Sequence, residues 1–196
     1  SIDNYFFVSG KCNSNCLMCP SADYSRQHGH NADVKKMIEI AKHIPSDSKH
    51  LTLTGGEPFM LGEDIFEFFD FLKAKFEDTE FLLLTNGRVF ALEKYARKLK
   101  ETIPNDCIVG IPIHGGTAKT HDAITQSPGS FSQTLIGIKR LLALGIRVEL
   151  RLVVCGLNVD DYENLAQLII NELPKIEYVS IMAMEMTGSA YVNKER

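Results

Sequence analysis

The chain has 196 residues, with 21 Lys and Arg against 25 Asp and Glu and a formal net charge of −4. At 44% hydrophobic and 23% charged residues it is neither disordered nor fibrous. The mild acidity argues against a nucleic-acid surface, which needs clustered Lys and Arg along one face. No apolar run reaches the roughly 18–20 residues of a membrane helix. The first residues, Ser1 to Asn4, lack the basic start and apolar stretch of a secretory signal. The length suits one domain spanning residues 1–196, and the missing initiator Met suggests a piece of a longer chain.

Residues 5–9 (YFFVS) form a short β-rich run that ends just before the first cysteine, and residues 12–31 read as a long loop. Helical spacing of Val34, Met37, Ile38 and Ala41 predicts a helix over 34–44, stopped by Pro45. A strand over 51–54 runs into Gly55-Gly56, and apolar residues recur at helical spacing over 65–76. Phe66, Phe68, Phe69 and Phe71 in that stretch read as core packing. A strand over 81–85 meets the turn signal Asn86-Gly87, and a helix over 89–99 precedes Pro104. A strand over 107–113 reaches Gly115-Gly116, and a helix over 130–144 is closed by Gly145. The last elements are a strand over 146–154, a helix over 160–173 before Pro174, and a strand over 178–184.

Alternating strands and helices give a parallel sheet, either open or closed into a barrel. One face of the strand over 146–154 carries Arg147, Glu149 and Arg151. A central strand covered by helices on both sides reads apolar on both faces. This polar face therefore wants a wet or ligand-filled interior, or else an edge position. Too few residues follow the sixth strand to complete an eight-fold barrel of roughly 250 residues. An α/β partial (β/α)6 TIM-like barrel is expected, with its last helix short or missing and its ligand loops at the C-terminal strand ends.

Three of the five cysteines crowd into residues 12–19, as Cys12, Cys16 and Cys19, directly after the first strand. Clustered thiols in a chain without a disulfide pattern indicate a metal site in a reducing compartment, which places the protein in the cytoplasm. Three thiolates can hold three irons of a 4Fe–4S cube and leave the fourth open to a substrate group. The competing reading is zinc, with His28 or His30 completing a Cys₃His set or a structural knuckle. Gly55-Gly56-Glu57-Pro58 ends the second strand at the same expected barrel end. Glycines there let backbone approach a ligand closely, and backbone carbonyls together with Glu57 can accept from a ligand ammonium group. Cys107 and Cys155 read as small buried apolar residues. His114 ends its strand within reach of a ligand, although a His there is commonly a satisfied polar group.

The pair C-x-x-x-C-x-x-C and GGEP resembles the radical S-adenosylmethionine (SAM) enzymes. The likeness continues through Leu84-Thr85-Asn86-Gly87, His121-Asp122, Gly129-Ser130-Phe131 and Gly145-Ile146-Arg147-Val148. More narrowly, LTLTGGEP, LLTNGR, RVELRLVV and MAMEMTGSA resemble the maturase of the His-Xaa-Ser repeat peptide system. The resemblance implies a radical SAM core whose 4Fe–4S cluster is held by Cys12, Cys16 and Cys19. SAM would lie against Met18, Gly55, Gly56, Glu57, Thr85, Asn86 and Arg151. Members often have an aromatic side chain where this chain has Met18. Arg151 stands either to the SAM carboxylate or to an ion pair with Glu149, and Thr85-Asn86 either to the ligand or to a plain turn.

By the same resemblance the substrate is a ribosomally made peptide, the reductant a flavodoxin or ferredoxin, and a small leader-binding protein a further partner. Neither a nucleic acid nor a membrane is expected. Peptide-modifying members often append a cysteine-rich auxiliary-cluster domain; if the chain is complete, auxiliary clusters are expected to be absent, and if it is trimmed the sequence leaves them open. A glycyl-radical activase, a non-catalytic zinc module and a degenerate barrel without turnover are the alternatives.

Overall fold

The computed structural model of the chain describes residues 4–21 and 23–195; residues 1–3, Ala22 and Arg196 lie outside them. Six strands, β1 (Asn4–Ser9), β2 (His50–Gly55), β3 (Glu80–Leu84), β4 (Cys107–Pro112), β5 (Arg147–Val154) and β6 (Tyr178–Ala183), form one sheet in sequence order. All neighbouring pairs are parallel. The helices are α1 (Asp23–His28), α2 (Val34–Lys42), α3 (Ile65–Lys75), α4 (Glu93–Thr102), α5 (Ala118–Thr125), α6 (Ser130–Ala143), α7 (Tyr162–Glu172) and α8 (Gly188–Val192). The architecture is the expected partial barrel, with edges at β1 and β6 and a last helix of 5 residues.

Strand alternation sorts the side chains. Phe6, Leu51, Leu53, Leu83 and Val109 are buried against the helices, and Phe6 meets Phe68 of α3 edge-on at 5.1 Å. Each such fully buried side chain contributes about 1.5–3 kcal/mol of transfer free energy. The register then places Arg151 beside Pro112 and Ser180, and Glu149 beside Gly110 and Tyr178, on the opposite, interior face. Gly110 makes room for that pair: a Cβ there would meet Leu84 Cδ2 at 2.8 Å and Arg151 Cδ at 3.1 Å. On the edge strand β1, Tyr5 and Phe7 alternate with the buried Phe6 and Val8 and stay 70% and 54% exposed.

Three elements differ from the sequence expectation. The loop over 12–31 contains α1, whose polar composition hides the buried Arg26. The helix expected over 89–99 divides into a 3₁₀ turn, Arg88–Ala91, and α4, because Leu92 takes an extended conformation at φ −94°, ψ 113°. Helix α5 is an addition, capped by the Thr117 side chain, which accepts from Thr120 N. At the end of α6, Gly145 (φ +67°) stands in the expected C′ position. Its N–H donates to Leu142 O at 3.1 Å and Ile146 N–H to Leu141 O at 3.0 Å, the paired bonds of a glycine-terminated helix.

Candidate active site

The segment from Cys12 to Cys19 has little regular structure of its own, so its amide groups find partners outside it. Asn15 N–H and Leu17 N–H each donate at 2.9 Å to Thr125 O and Ile124 O, the unpaired carbonyls at the C-terminus of α5. Cys12 N–H donates to Arg26 O at 3.1 Å. On the other side, Glu57 N–H donates to Lys11 O at 2.7 Å and Gly56 N–H to Ser9 O at 2.6 Å. This approach requires glycine: a Cβ on Gly56 would lie 2.2 Å from Lys11 O, and one on Gly55 (φ +148°) 2.4 Å from Ser9 O.

Cys12, Cys16 and Cys19 then line one cavity of about 250 Å³ at the C-terminal strand ends. Met18, Gly55, Gly56, Thr85, Asn86 and Arg151 line the same cavity, together with Arg26 and His114. Burial pushes the Cys12 thiol up to about 11 and the Cys16 thiol up to about 12. Both are therefore protonated in the metal-free chain and release protons on binding metal. Among the described residues, no three His, Cys, Asp or Glu side chains converge tightly enough for a single metal ion. His28 and His30 are exposed. Three soft thiol donors on one cavity fit the three protein ligands of a 4Fe–4S cluster with one open iron.

Glu57 is placed differently from the sequence expectation of a side chain that receives a ligand ammonium. Its carboxylate is buried and accepts from Thr85 Oγ1 (2.7 Å), Asn86 N (2.7 Å) and Phe59 N (3.1 Å). Burial pushes its carboxyl up from the usual carboxylate range, while these donors and the Arg88 charge pull against that. The carboxylate thus ties β2 to the turn after β3. That turn reaches the cysteine segment in its own right: Asn86 Nδ2 donates to Asn13 Oδ1 at 2.6 Å, and Arg88 donates to Asn13 O and to Ser14 Oγ.

Arg151 makes the expected ion pair and also reaches the cavity. It lines the cavity, and its Nη1 donates to Glu149 Oε1 at 2.9 Å. Met18 lines the cavity and also packs with Ile124 and Ala190. His114 is buried, its Nδ1 has no hydrogen-bond partner among the described residues, and burial lowers it to about 3. The His121-Asp122 and Gly129-Ser130-Phe131 segments are structural. Asp122 accepts from Gly129 N, Ser130 Oγ and Phe131 N at 2.7–2.8 Å and so caps α6. His121 Nδ1 accepts from His114 N at 3.1 Å. Arg26 is the site residue that sequence reasoning missed, being a lone cation in a polar stretch.

The family model described as the radical SAM superfamily matches residues 6–169. The chain belongs to the radical SAM superfamily. Members of that family bind a 4Fe–4S cluster and SAM. The subtilosin biosynthesis protein AlbA of Bacillus subtilis is 29% identical over 164 residues, covering 83% of this chain and 35% of AlbA. An AdoMet-dependent heme synthase of Nitratidesulfovibrio vulgaris is 25% identical over 162 residues, covering 82% of this chain and 42% of the synthase. The chain thus spans well under half the length of these curated relatives. Among solved structures, Streptococcus suis SuiB bound to its precursor peptide SuiA superposes with a TM-score of 0.74 at 14% identity, over 94% of this chain and 39% of SuiB. The enzyme anSMEcpe with bound AdoMet gives 0.71 at 17% identity, over 93% of this chain and 51% of its own. At such identities these two likenesses speak for the fold.

Proposed function

We propose that this chain is the catalytic core of an enzyme that modifies a ribosomally made peptide by radical chemistry. Cys12, Cys16 and Cys19 hold the 4Fe–4S cluster, and SAM binds against Gly55, Gly56, Thr85, Asn86, Met18 and Arg151. When bound, the cluster and SAM would together supply one-electron radical chemistry able to remove a hydrogen atom from substrate. The observation that carries this reading is the meeting of three thiols, a glycine cradle and two arginines on one cavity at the C-terminal strand ends. The protein's own work there is to fix the cysteine segment, present backbone groups to the ligand and keep the interior apolar around a reactive species. Met18, Leu84, Pro112, Val153 and Met182 supply that lining.

A peptide is favoured over a compact substrate by the open side of the sheet. Tyr5 and Phe7 stay uncovered on the edge strand β1, and Tyr178 on the edge strand β6. Exposed aromatics along the open edges of the sheet suit an extended chain whose side chains dock one at a time. The bacteriocin biosynthesis protein among the relatives supports the same reading. A cytoplasmic setting, a flavodoxin or ferredoxin reductant and a leader-binding partner complete it; no helix among the described residues is long and apolar enough to cross a membrane.

The test is anaerobic reconstitution with iron and sulfide, followed by EPR of the reduced protein with and without SAM. A 4Fe–4S signal that changes on adding SAM, with 5′-deoxyadenosine released when a His-Xaa-Ser repeat peptide is added, is expected. Zinc in place of the cluster, or a cluster signal indifferent to SAM, overturns the catalytic reading.

A further inference from the structure

We infer that Arg26 is an electrostatic residue of the cluster site, oriented by Ser189 of α8, and that its charge raises the potential at which the bound cluster accepts an electron. The inference rests on the cluster reading above. Arg26 is 3% exposed, and a long cation is almost never so deeply buried unless polar groups pair with it. Its main-chain oxygen accepts from Cys12 N–H at 3.1 Å. Its Nη2 donates to Asn15 Oδ1, between Cys12 and Cys16, and its side chain lines the thiol cavity. The guanidinium thus lies on the cavity wall and is held by the segment that carries the thiols.

The second anchor comes from the far end of the chain. Arg26 Nη1 donates to Ser189 Oγ at 3.0 Å, across 163 residues, and to Ser21 O. Ser189 N–H in turn donates to Cys19 O at 2.9 Å, and Asn193 Nδ2 to Leu17 O at 3.2 Å. Gly188 lets α8 come this close: its φ is +53°, and a Cβ on it would lie 2.1 Å from Pro20 O. The start of α8 is therefore fitted to the cysteine segment and fixes the cation beside it. An arginine keeps its charge at every working pH. A fixed positive charge in a buried site favours the more negative, reduced state of a cluster, whose potential follows net charge and hydrogen bonding around it.

The test measures the one-electron midpoint potential of the reconstituted protein by EPR-monitored redox titration in wild type, R26K, R26Q, S189A and R26Q/S189A, with SAM affinity measured alongside. The expected result for R26Q is an about tenfold lower ratio of reduced to oxidised cluster at fixed solution potential, which is about 59 mV for one electron. R26K should restore most of it. S189A should shift the potential the same way by less, and add nothing once Arg26 is gone. If R26Q takes up no iron while R26K takes up the full complement near the wild-type potential, the charge is again supported. An unmoved potential in R26Q overturns the inference, as does weakened SAM binding as its sole effect. Failure of R26K as well as R26Q to take up iron also overturns it, because shape and not charge then holds the segment. A wild-type chain that assembles no cluster sinks the functional reading itself, which the variant series separates from failure of this inference alone.

Discussion

Glu57 shows how a residue can belong to a signature while its side chain holds the fold together. Two of its three donors, Thr85 Oγ1 and Phe59 N, are buried with it and the third, Asn86 N, is partly buried, so truncation leaves a hydroxyl and two amides without their acceptor. Each buried orphan costs about 1–3 kcal/mol, and Glu57→Ala should lower unfolding free energy by about 3 kcal/mol or more in urea titration. Glu57→Gln keeps one acceptor and should cost less. Equal stability of E57A and wild type would return the carboxylate to the ligand. The two histidines give a second residue-scale expectation. Burial, joined by the His121 charge, lowers His114 to about 3, and burial, with Arg88 adding to it and Asp122 opposing it, lowers His121 to about 4, each from an ordinary 6.5. Below 6.5 the unfolded chain takes up protons that the native one refuses, so stability is full above 6.5 and falls as pH drops towards 4 and then 3. Denaturant midpoints recorded across that window should slope with pH, and His114→Leu should flatten part of the slope whatever its effect on absolute stability.

At the scale of elements, α5 and α6 form a corner that serves the cysteine segment from a distance. Asp122 closes the N-terminus of α6 with three hydrogen bonds, and the C-terminal carbonyls of α5 receive Asn15 and Leu17. Burial pushes the Asp122 carboxyl up, but the Phe131 and Gly129 amides and the Ser130 hydroxyl outweigh it and hold it below the usual range. Replacing a cap of this kind costs about 0.5–2 kcal/mol. Asp122→Ala should therefore lower the urea midpoint by that order and, by loosening α5, speed iron loss from the reconstituted protein to a chelator. A normal rate of iron loss would uncouple the corner from the cysteine segment. The same elements show what the sequence could reveal. Alternation over 51–54 and 146–154 announced strands, because a half-buried surface imposes period two. Gly145 announced the end of α6, because φ +67° suits glycine. Helix α5 passed unnoticed because AKTHDAIT is only 8 residues long and polar from Lys119 to Asp122. The bonds from its carbonyls to a segment more than a hundred residues earlier are a property of the fold and have no local signature.

The whole molecule decides what the polar interior face of β5 is for. Parity alone placed Arg147, Glu149 and Arg151 together, and left open a solvated edge. The sheet order resolves it: β5 lies between β4 and β6, and the cavity at the strand ends touches residues of β2, β3, β4, β5 and β6. Glu149 is buried deep in that interior, with its side chain 3% exposed, whereas that of Arg151 is 26% exposed at the cavity. A buried carboxylate stripped of its cation costs about 3–5 kcal/mol, so Arg151→Ala should destabilise the protein by that order. Glu149→Gln combined with Arg151→Ala should recover part of the loss, since no naked charge remains. The proposed ligand role is separable from the pair. Both variants should bind SAM about tenfold more weakly, a loss of about 1.4 kcal/mol, when calorimetry is run on protein whose cluster EPR signal is intact. Wild-type SAM affinity in the double variant would confine Arg151 to neutralising Glu149. The SAM carboxylate would then depend on the other cation of the cavity wall, Arg26.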